Sequence, residues 1–511
     1  MKRNHWFKRT AGLALALALL LVSSMCFGAL AEGKTFTFII NGDAGNVFNP
    51  FGINDRNKVV VAAPMLSPIY RTGAEGSVIP ILAESIEPSE DGLTYTLKLK
   101  EGLKWSDGES ITADDVVFYY STLNTLTPQY YINGEPFQVE KVDDLTVVFK
   151  LPAVSASFVE MLWHNIFLSP AHVFEGREEY DVNMLEESVV GSGAFIFDGY
   201  ATGEYYRYRA NPDYAGGQVD IDELIYRIVP SNDTAAYAML NCEANAWVVP
   251  SEYIDSFEGN DALNLRSYST GSVHYLQLNR VADSMQDKDY RTGLFKALDR
   301  GEILKAGYGS EDRYEINASC LPLANPYCTD EIESYAQDIE AAKELVKGGA
   351  TSLKLAYIAG RDFNEREALV IQAALAQIGI QVEIFALDSA AYMAASYDPT
   401  NKEYDMYICT YVMGNDPDMY ASLFDPAMGN YLNFDSEAIV EKFNQGRQEL
   451  DHAKRAEIYR EAQQLVADEA LIYPFGSDMS VLATTKDVIG ADTADIHSMQ
   501  MFLDWTQLSM Q

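Results

Sequence analysis

The chain has 511 residues and a formal net charge of −38, from 75 acidic and 37 basic residues. Such an acidic surface repels nucleic-acid phosphates, so the composition argues against a nucleic-acid-binding protein. The length is too great for one hydrophobic core, and we expect two or three domains.

Residues 1–31 have the pattern of an export signal. Basic residues at positions 2, 3, 8 and 9 precede an apolar stretch at 11–22, and Ala29-Leu30-Ala31 resembles a cleavage site. This stretch is too short for a good membrane span, and no other segment approaches the ~18 apolar residues required. We therefore predict an exported protein, in the periplasm or at the outer face of the cell membrane. Cys26 leaves open a lipid anchor, although Met25 stands where such signals carry a small residue.

Residues 36–40 alternate as a strand, and a Gly- and Asn-rich loop follows to residue 50. Residues 93–100 alternate apolar and polar side chains, which is the pattern of a half-buried strand. Asp107-Gly108 marks a turn, and Thr112 is a helix N-cap candidate with acidic residues after it. Residues 91–120 therefore predict a strand–turn–helix unit of a mixed α/β domain.

Further strand patterns occur at 145–151, 205–209 and 224–229, and βα alternation begins beyond about residue 272. Residues 353–359 predict a strand, 365–378 a helix with Gly379 as its left-handed cap, and 381–387 another strand. A βαβ crossover of this kind implies a parallel strand pair. Two charged amphipathic helices are predicted around 436–449 and 452–468.

The literal sequence of residues 91–120 resembles the signature of the peptide/nickel family of extracellular solute-binding proteins, family 5. That signature reads roughly DG-x-TYTF-x-LR-x-GV-x-F-x-DG, followed by TA-x-DV. Further blocks stand in the family's order: Asn49-Pro50, Ile79 to Ser85, Gly191 to Phe195, Asn211 to Tyr214, Tyr275 to Asn279 and Ala297 to Arg300. The ordered set is specific, whereas one block alone would mean little.

The resemblance implies an α/β fold, a two-lobed periplasmic-binding-protein-like clamp of type II in the large class with an extra domain in lobe I. Lobe I would span residues 32–272 with an inserted subdomain at about 78–190. Lobe II would span 273–478, and residues 479–511 would return to lobe I. Such clamps enclose a ligand by hinge closure. The implied function is that of a monomeric ABC-importer receptor, which captures di- or oligopeptides and delivers them to the permease subunits.

The resemblance places ligand contacts in three segments, with Tyr131 as a further candidate for the cleft wall. These segments are Ile53-Asn54-Asp55, then His274-Tyr275, and the loop with Tyr411, Val412, Met413, Gly414, Asn415 and Asp416. In peptide-binding members the third loop supplies a carboxylate that pairs with the ligand's α-ammonium. Here Met413 or Gly414 stands nearest that position, and Asp416 lies two or three residues later, beside Pro417 and Asp418. The role is carried over to Asp416, and the departure from the pattern argues against a free peptide N-terminus as the ligand. An ordinary turn at residues 416–418 is the alternative.

Other functions remain open at this stage: the same clamp binding an oligosaccharide, a nickel chelate or another small molecule, a sensor or chaperone, or a secreted hydrolase. The chain has neither H-E-x-x-H nor G-x-S-x-G, which disfavours the hydrolase. No catalytic residue, cofactor or metal site is predicted. Cys320 and Cys328 flank a Pro-containing loop and leave a disulfide open. Cys409, in an apolar run, is predicted to be a buried free thiol.

Overall fold

The computed structural model describes residues 33–53, 55–72, 78–126, 131–162, 167–333, 335–412, 414, 416–434, 436–497 and 501–511. Within these ranges no helix combines the length and the apolar character needed to cross a bilayer. The described strands form a twelve-stranded sheet that runs through two lobes, a separate four-stranded sheet and several two-stranded ladders.

Lobe I is built on a mixed part of the large sheet. Thr35–Ile40 pairs in parallel with both Glu223–Ile228 and Ala246–Val249, so the carboxyl ends of these three strands lie at one edge. Phe195–Ala201 and Tyr205–Ala210 extend this part of the sheet as an antiparallel hairpin. The carboxyl edge faces the second lobe and positions the loops that follow each strand.

The inserted subdomain carries the four-stranded antiparallel sheet. Its strand order is Ala83–Pro88, Thr94–Leu99, Thr146–Lys150 and Gln138–Lys141. The helix Ala113–Leu126 contributes Val116, Tyr120 and Leu123 to the core, and Thr112 Oγ1 accepts a hydrogen bond from Asp114 N at 3.3 Å. The strand–turn–helix unit predicted from the alternating pattern and the N-cap is thus confirmed.

Lobe II contains the predicted βαβ crossover. Ser352–Ile358 and Gln381–Leu387 pair in parallel over seven residues, and the helix Asp362–Gln377 connects them. Gly379 follows the helix with a φ of 84°, the left-handed conformation that glycine adopts without strain. Both predictions are confirmed. The strand Met406–Tyr411 lies between Ser352–Ile358 and Val273–Leu278 in the sheet.

One strand of 14 residues, Ile472–Thr485, belongs to both lobes, and we call it the shared strand. Its first part pairs with Val273–Leu278, and its second part pairs with Ala246–Val249 and Leu263–Ser269. After it, the chain packs on lobe I: the rings of Phe502 and Trp505 lie 6.2 Å and 5.9 Å from that of Phe36. The lobes are therefore joined by the shared strand and by the connection from Leu263–Ser269 to Val273–Leu278.

The remaining helices, 3-10 turns and strands complete the two lobes. The remaining helices are Arg56–Ala62, Phe158–Met161, Ala171–Phe174, Asn232–Leu240, Ile254–Phe257, Lys288–Lys296, Arg300–Tyr308, Ile339–Leu345, Ser389–Tyr397, Glu437–Gln448 and His452–Asp468. Single 3-10 turns are Ser251–Tyr253, Asp283–Met285, Glu311–Arg313 and Trp505–Gln507, and a longer 3-10 segment is Pro417–Leu423. The short strands are Val47–Phe48, Tyr70–Thr72, Val78–Pro80, Val182–Asn183, Tyr314–Ile316, Val488–Ile489, Ile496–His497, Met501–Phe502 and Ser509–Met510.

Candidate ligand-binding site

A cavity of about 550 Å³ lies between the two lobes. Its lobe I wall follows the carboxyl ends of the parallel strands, and its lobe II wall is formed by the ends of two helices. The lining includes Asn41, Arg56, Asn57, Ser251, Tyr308, Arg313, Phe363 and Asp478. Open α/β sheets bind ligands in crevices outside the carboxyl ends of their strands. This cavity is therefore the candidate ligand-binding site.

His274 lies where the chain enters lobe II, and its side chain is only 2% exposed. Its Nε2 is 3.3 Å from Asp478 Oδ1, its Nδ1 is 3.2 Å from Thr410 Oγ1, and both nitrogens are 3.1 Å from Tyr308 Oη. Burial lowers the pKa of His274, but the hydrogen bond and charge of Asp478 and the charge of Glu367 raise it above the ordinary value. The imidazole thus links two strands and a helix at the crossing between the lobes.

Glu367 is a fully buried carboxylic acid close to this crossing. Its Oε2 accepts a hydrogen bond from Asn364 Nδ2 at 2.9 Å, and Oε1 has no hydrogen-bond partner among the described residues. Burial raises the pKa of Glu367 to about 7, although the charge of His274 and the bond from Asn364 oppose this. Glu367 is therefore largely protonated in a moderately acidic medium.

We expect Glu367 to make the protein less stable as the pH rises from 5 to 8. Between the unfolded pKa near 4.5 and the folded pKa near 7, the folded state binds more protons than the unfolded chain. The free energy of unfolding therefore falls through that window, by about 3 kcal/mol in all. Glu367→Gln should remove this part of the pH dependence, which urea unfolding at pH 5 and pH 8 would measure.

Glu365→Gln, an exposed change on the same helix, is the matched control and should leave the pH dependence intact. If Glu367→Gln and the unmodified protein lost the same stability between pH 5 and pH 8, the assignment of Glu367 would be wrong.

The segment after Met406–Tyr411 carries two acidic residues, and each is paired with its own arginine. Arg455 donates from Nη1 to Asp416 Oδ2 at 2.7 Å and from Nη2 to Asp416 Oδ1 at 2.8 Å. Arg447 donates from Nε to both oxygens of Asp418, at 2.9 Å and 3.0 Å. Bidentate pairs of this geometry are strong and directional. Both carboxylates therefore serve the fold of lobe II.

A second contact between the lobes lies away from the crossing. The backbone N–H of Ala156, in the inserted subdomain, donates to the carbonyl oxygen of Arg447 at 2.7 Å. Ser157 Oγ donates to Asp418 Oδ2 at 3.4 Å. The lobes thus touch at a second place besides the crossing.

The family model of bacterial extracellular solute-binding proteins, family 5 (middle region), matches residues 77–430. The chain belongs to this family. It is 28% identical over 509 residues to the dipeptide-binding protein of Escherichia coli (strain K12), which covers 91% of this chain and 92% of that protein.

Two solved structures resemble the whole described fold. The ABC transporter substrate-binding protein CtaP from Listeria monocytogenes has a TM-score of 0.88 at 32% identity, covering 94% of this chain and 100% of that one. A putative peptide-binding protein AppA from Clostridium difficile has a TM-score of 0.85 at 30% identity, with the same coverage of both chains. This family-5 chain therefore has the α/β two-lobed clamp that the sequence predicted.

Of the family-based site candidates, His274 is buried beside the cavity, whereas Tyr275 and Tyr411 are buried in a core cluster of lobe II. The rings of Tyr275 and Tyr411 lie 5.1 Å apart, and Tyr411 Oη donates to the backbone carbonyl of Cys320. His274 contacts Tyr308 and Asp478, which do line the cavity. Of the predicted residues that the structure describes, none lies in the cavity lining itself. The candidates Asn54, Met413 and Asn415 lie outside the described residues.

The first candidate segment shapes the cavity wall indirectly. Asp55 caps the helix Arg56–Ala62 by accepting a hydrogen bond from Lys58 N at 3.1 Å, and this places Arg56 and Asn57 at the wall. Ile53 is buried at 8% exposure. Tyr131 is half-buried, Val412 is exposed, and Gly414 has a φ of 84°.

The predicted role of Asp416 as the partner of a ligand ammonium does not fit this structure. Its side chain is 7% exposed, and both oxygens are bonded to Arg455. Its Oδ1 also accepts from Asp418 N at 2.9 Å at the start of the 3-10 segment Pro417–Leu423. The alternative reading, a structural turn at residues 416–418, describes the geometry.

The cysteine predictions have different outcomes. Cys320 and Cys328 have unpaired thiols, so the structure does not contain the disulfide that the sequence left open. Instead Cys328 Sγ donates to the carbonyl of Leu321 at 3.4 Å, and burial raises the pKa of Cys320 to about 12. Cys409 is a free thiol as predicted, but it is half-buried rather than fully buried.

Sequence reasoning missed the residues that form the cavity wall, including Tyr308, Phe363 and Asp478. The available signal for Phe363 was its position: it lies five residues after the buried parallel strand Ser352–Ile358, where binding loops occur.

Proposed function

We propose that this protein is the substrate-binding receptor of an ABC importer and captures peptides between its two lobes. The observation that carries the proposal is the interlobe cavity of about 550 Å³, in a clamp whose lobes also touch away from the crossing. Its volume lies within the ~300–1,000 Å³ range of small-molecule sites. The names of the relatives from Escherichia coli and Clostridium difficile support peptides as the ligand class.

The chemistry of the cleft fits a ligand with polar ends. Each backbone or terminal group of an enclosed peptide needs a hydrogen-bonding partner, because an unpaired buried group costs about 1–3 kcal/mol. Asn41, Asn57 and Ser251 line the cavity and offer amide and hydroxyl groups to such a ligand. Ligand release then requires the lobes to separate by hinge opening.

We also propose the lobe boundaries and the cellular location. Residues 32–272 with 479–511 would form lobe I, and residues 273–478 lobe II, in line with the packing of Phe502 and Trp505 on Phe36. Residues 1–31 would direct export and be removed, and the mature monomer would dock on the permease subunits. Mass spectrometry of the mature N-terminus tests the signal: a chain starting at residue 32 supports it, and acylated Cys26 contradicts it.

The experiment that tests the function is native mass spectrometry of protein purified without denaturation, followed by release of bound molecules. Co-purified peptides are the expected result, and a single non-peptide species would overturn the peptide assignment. Ser251→Trp should fill part of the cavity and reduce the bound fraction, because Ser251 is exposed and lines it. Ser256→Trp, an exposed position outside the lining, should leave the bound fraction unchanged.

Arg447→Gln should make a bound peptide dissociate about tenfold faster, because Asp418 is then no longer oriented for its contact with the opposite lobe and the hinge opens more readily. The change leaves Asp418 without its bidentate partner, and Asp418 is the residue that Ser157 of the opposite lobe contacts. Displacement of a fluorescent peptide in a stopped-flow instrument measures the rate. Lys442→Gln on the same helix is the control, and equal rates for both variants would contradict a role of this contact in closure.

A further inference from the structure

The carboxylate of Asp478 is held on one side only. Its Oδ1 accepts hydrogen bonds from Ser272 Oγ at 2.5 Å and Thr270 Oγ1 at 2.6 Å, and it lies 3.3 Å from His274 Nε2. Its Oδ2 has no hydrogen-bond partner in the part of the chain that the structure describes. The residue lies in the cavity lining, and its side chain is 28% exposed. An anchored carboxylate therefore presents a free oxygen at the cavity wall.

Asp478 remains ionised over the whole physiological range. Burial raises its pKa, but the hydrogen bond and charge of His274 and the hydroxyl groups of Ser272 and Thr270 outweigh this and hold the pKa well below its usual value. Three donors on one oxygen also fix the orientation of the group. A rigid anion needs little ordering when a ligand binds.

Two aromatic rings stand at the same wall. The rings of Tyr308 and Phe363 stack with centroids 5.5 Å apart and planes 25° from parallel, and both residues line the cavity. An aromatic face attracts a cation through its quadrupole, and the attraction grows when water is excluded. A carboxylate and aromatic rings at one wall suit a ligand ammonium better than a neutral or anionic group.

Among the described residues His274 is the cationic partner of Asp478, through Oδ1, and the two arginines of the lining form no ion pair with it. Arg313 forms ion pairs with Asp255 and Glu258 at the cavity rim. Within the described residues, neither Arg313 nor Arg56 lies within ion-pair distance of Asp478.

The two acidic residues in the segment after the strand Met406–Tyr411 are not available to a ligand. Asp416 and Asp418 are each bound to an arginine through both oxygens. Among the carboxylates discussed at the cleft, Asp478 is thus the one with a free oxygen at the cavity. A buried ligand ammonium without a carboxylate partner would be strongly disfavoured.

We propose that Asp478, with the rings of Tyr308 and Phe363, forms a subsite at the crossing between the lobes that binds a ligand ammonium group. The inference rests on the proposed function and narrows it to ligands that carry a primary ammonium. In a peptide this group is the N-terminus or a lysine side chain. Because Asp478 belongs to the shared strand, its bond to the ligand forms at the hinge.

Three peptide pools distinguish the two sources of an ammonium. The first contains di- to pentapeptides without lysine or arginine and with free N-termini, the second contains the same peptides N-acetylated, and the third contains N-acetylated peptides with one lysine. Each pool is captured on the immobilised full-length mature protein and quantified by mass spectrometry. We expect at least tenfold enrichment of the first or third pool over the second.

Asp478→Asn keeps an oxygen for Ser272 and Thr270 but removes the charge, and it should reduce this discrimination at least tenfold. Phe363→Leu removes one ring, which packs on His274 at 5.7 Å but forms no hydrogen bond with Asp478, and it should reduce the discrimination about threefold. This second variant keeps the test decisive if Asp478→Asn does not fold. Asp233→Asn, the same charge change at an exposed residue next to the cavity lining, should have no effect.

The outcomes separate this inference from the proposed function. If the acetylated, lysine-free pool is captured in the same amount as the other two pools, the ammonium subsite is overturned and the peptide receptor remains. Capture of no pool at all would overturn both. Discrimination that survives in both Asp478→Asn and Phe363→Leu would move the ammonium site elsewhere and also overturn the inference.

Discussion

Replacement of Arg455 by methionine is expected to lower the free energy of unfolding by about 3–5 kcal/mol, because it leaves the buried carboxylate of Asp416 without a partner. The side chain of Arg455 is 5% exposed. Burial lowers its pKa, but the negative charge and the hydrogen bonds of Asp416 raise it by more, so Arg455 stays charged. Arg455 Nε also donates to the carbonyl of Gly446 at 2.8 Å. Methionine retains much of the chain length but supplies no donor.

Unfolding of the full chain in urea, followed by circular dichroism, measures this change in the free energy of unfolding. Arg460→Met on the same helix is the matched control, because Arg460 pairs with Glu457 at the surface and such pairs contribute only about 0–1 kcal/mol. The double variant Arg455→Met with Asp416→Asn should regain part of the lost stability, since it removes the unpaired charge. Equal effects of the changes at Arg455 and Arg460 would contradict the structural role given to Asp416.

Replacement of Gly476 by alanine is expected to disrupt the crossing between the lobes. Gly476 has a φ of 151°, and a Cβ there would lie 1.8 Å from the carbonyl oxygen of Glu315 and 3.0 Å from Leu304 Cδ1. The backbone of Tyr314–Ile316, which pairs with the shared strand at this point, would have to move. Backbone strain and overpacking together should lower the free energy of unfolding by about 3 kcal/mol or more.

This substitution should also weaken peptide binding by at least tenfold, because Asp478 lies two residues further along the displaced strand. Thermal unfolding and peptide titration by calorimetry measure the two effects separately. Gly360→Ala is the control: its φ is 82°, but no atom lies within 4 Å of a Cβ there. The Gly360→Ala variant should lose only the ~1–2 kcal/mol of unfolding free energy that an alanine in the left-handed conformation costs. A similar loss of stability for Gly360→Ala and Gly476→Ala would contradict the steric explanation.

Local patterns predicted the regular elements well. The alternation at residues 93–100 marked the strand Thr94–Leu99, and the apolar periodicity at 365–378 marked the helix Asp362–Gln377, which begins three residues earlier. The second amphipathic helix was placed at 452–468, where the structure has His452–Asp468. Such features depend on residues within one or two turns of each other, and the sequence displays them directly.

The candidate site was predicted less completely. Family motifs led to His274 beside the cavity, but the wall itself is assembled from Asn41, Tyr308, Phe363 and Asp478, which are far apart in the chain. Asp416 was assigned to a ligand because the sequence does not show that Arg455, 39 residues later, occupies both of its oxygens. The thiols of Cys320 and Cys328 likewise could be judged only in three dimensions.

By itself, the sequence determined the acidic composition, the order of strands and helices, the family and hence the two-lobed clamp, because each depends on local periodicity or on an ordered set of motifs. Only the tertiary structure decided which ionisable groups are already paired and which face the cavity. Asp416 and Asp478 look equivalent as letters in the chain. They differ because an ion pair occupies both oxygens of Asp416, whereas the hydrogen bonds of Asp478 reach only one of its two oxygens.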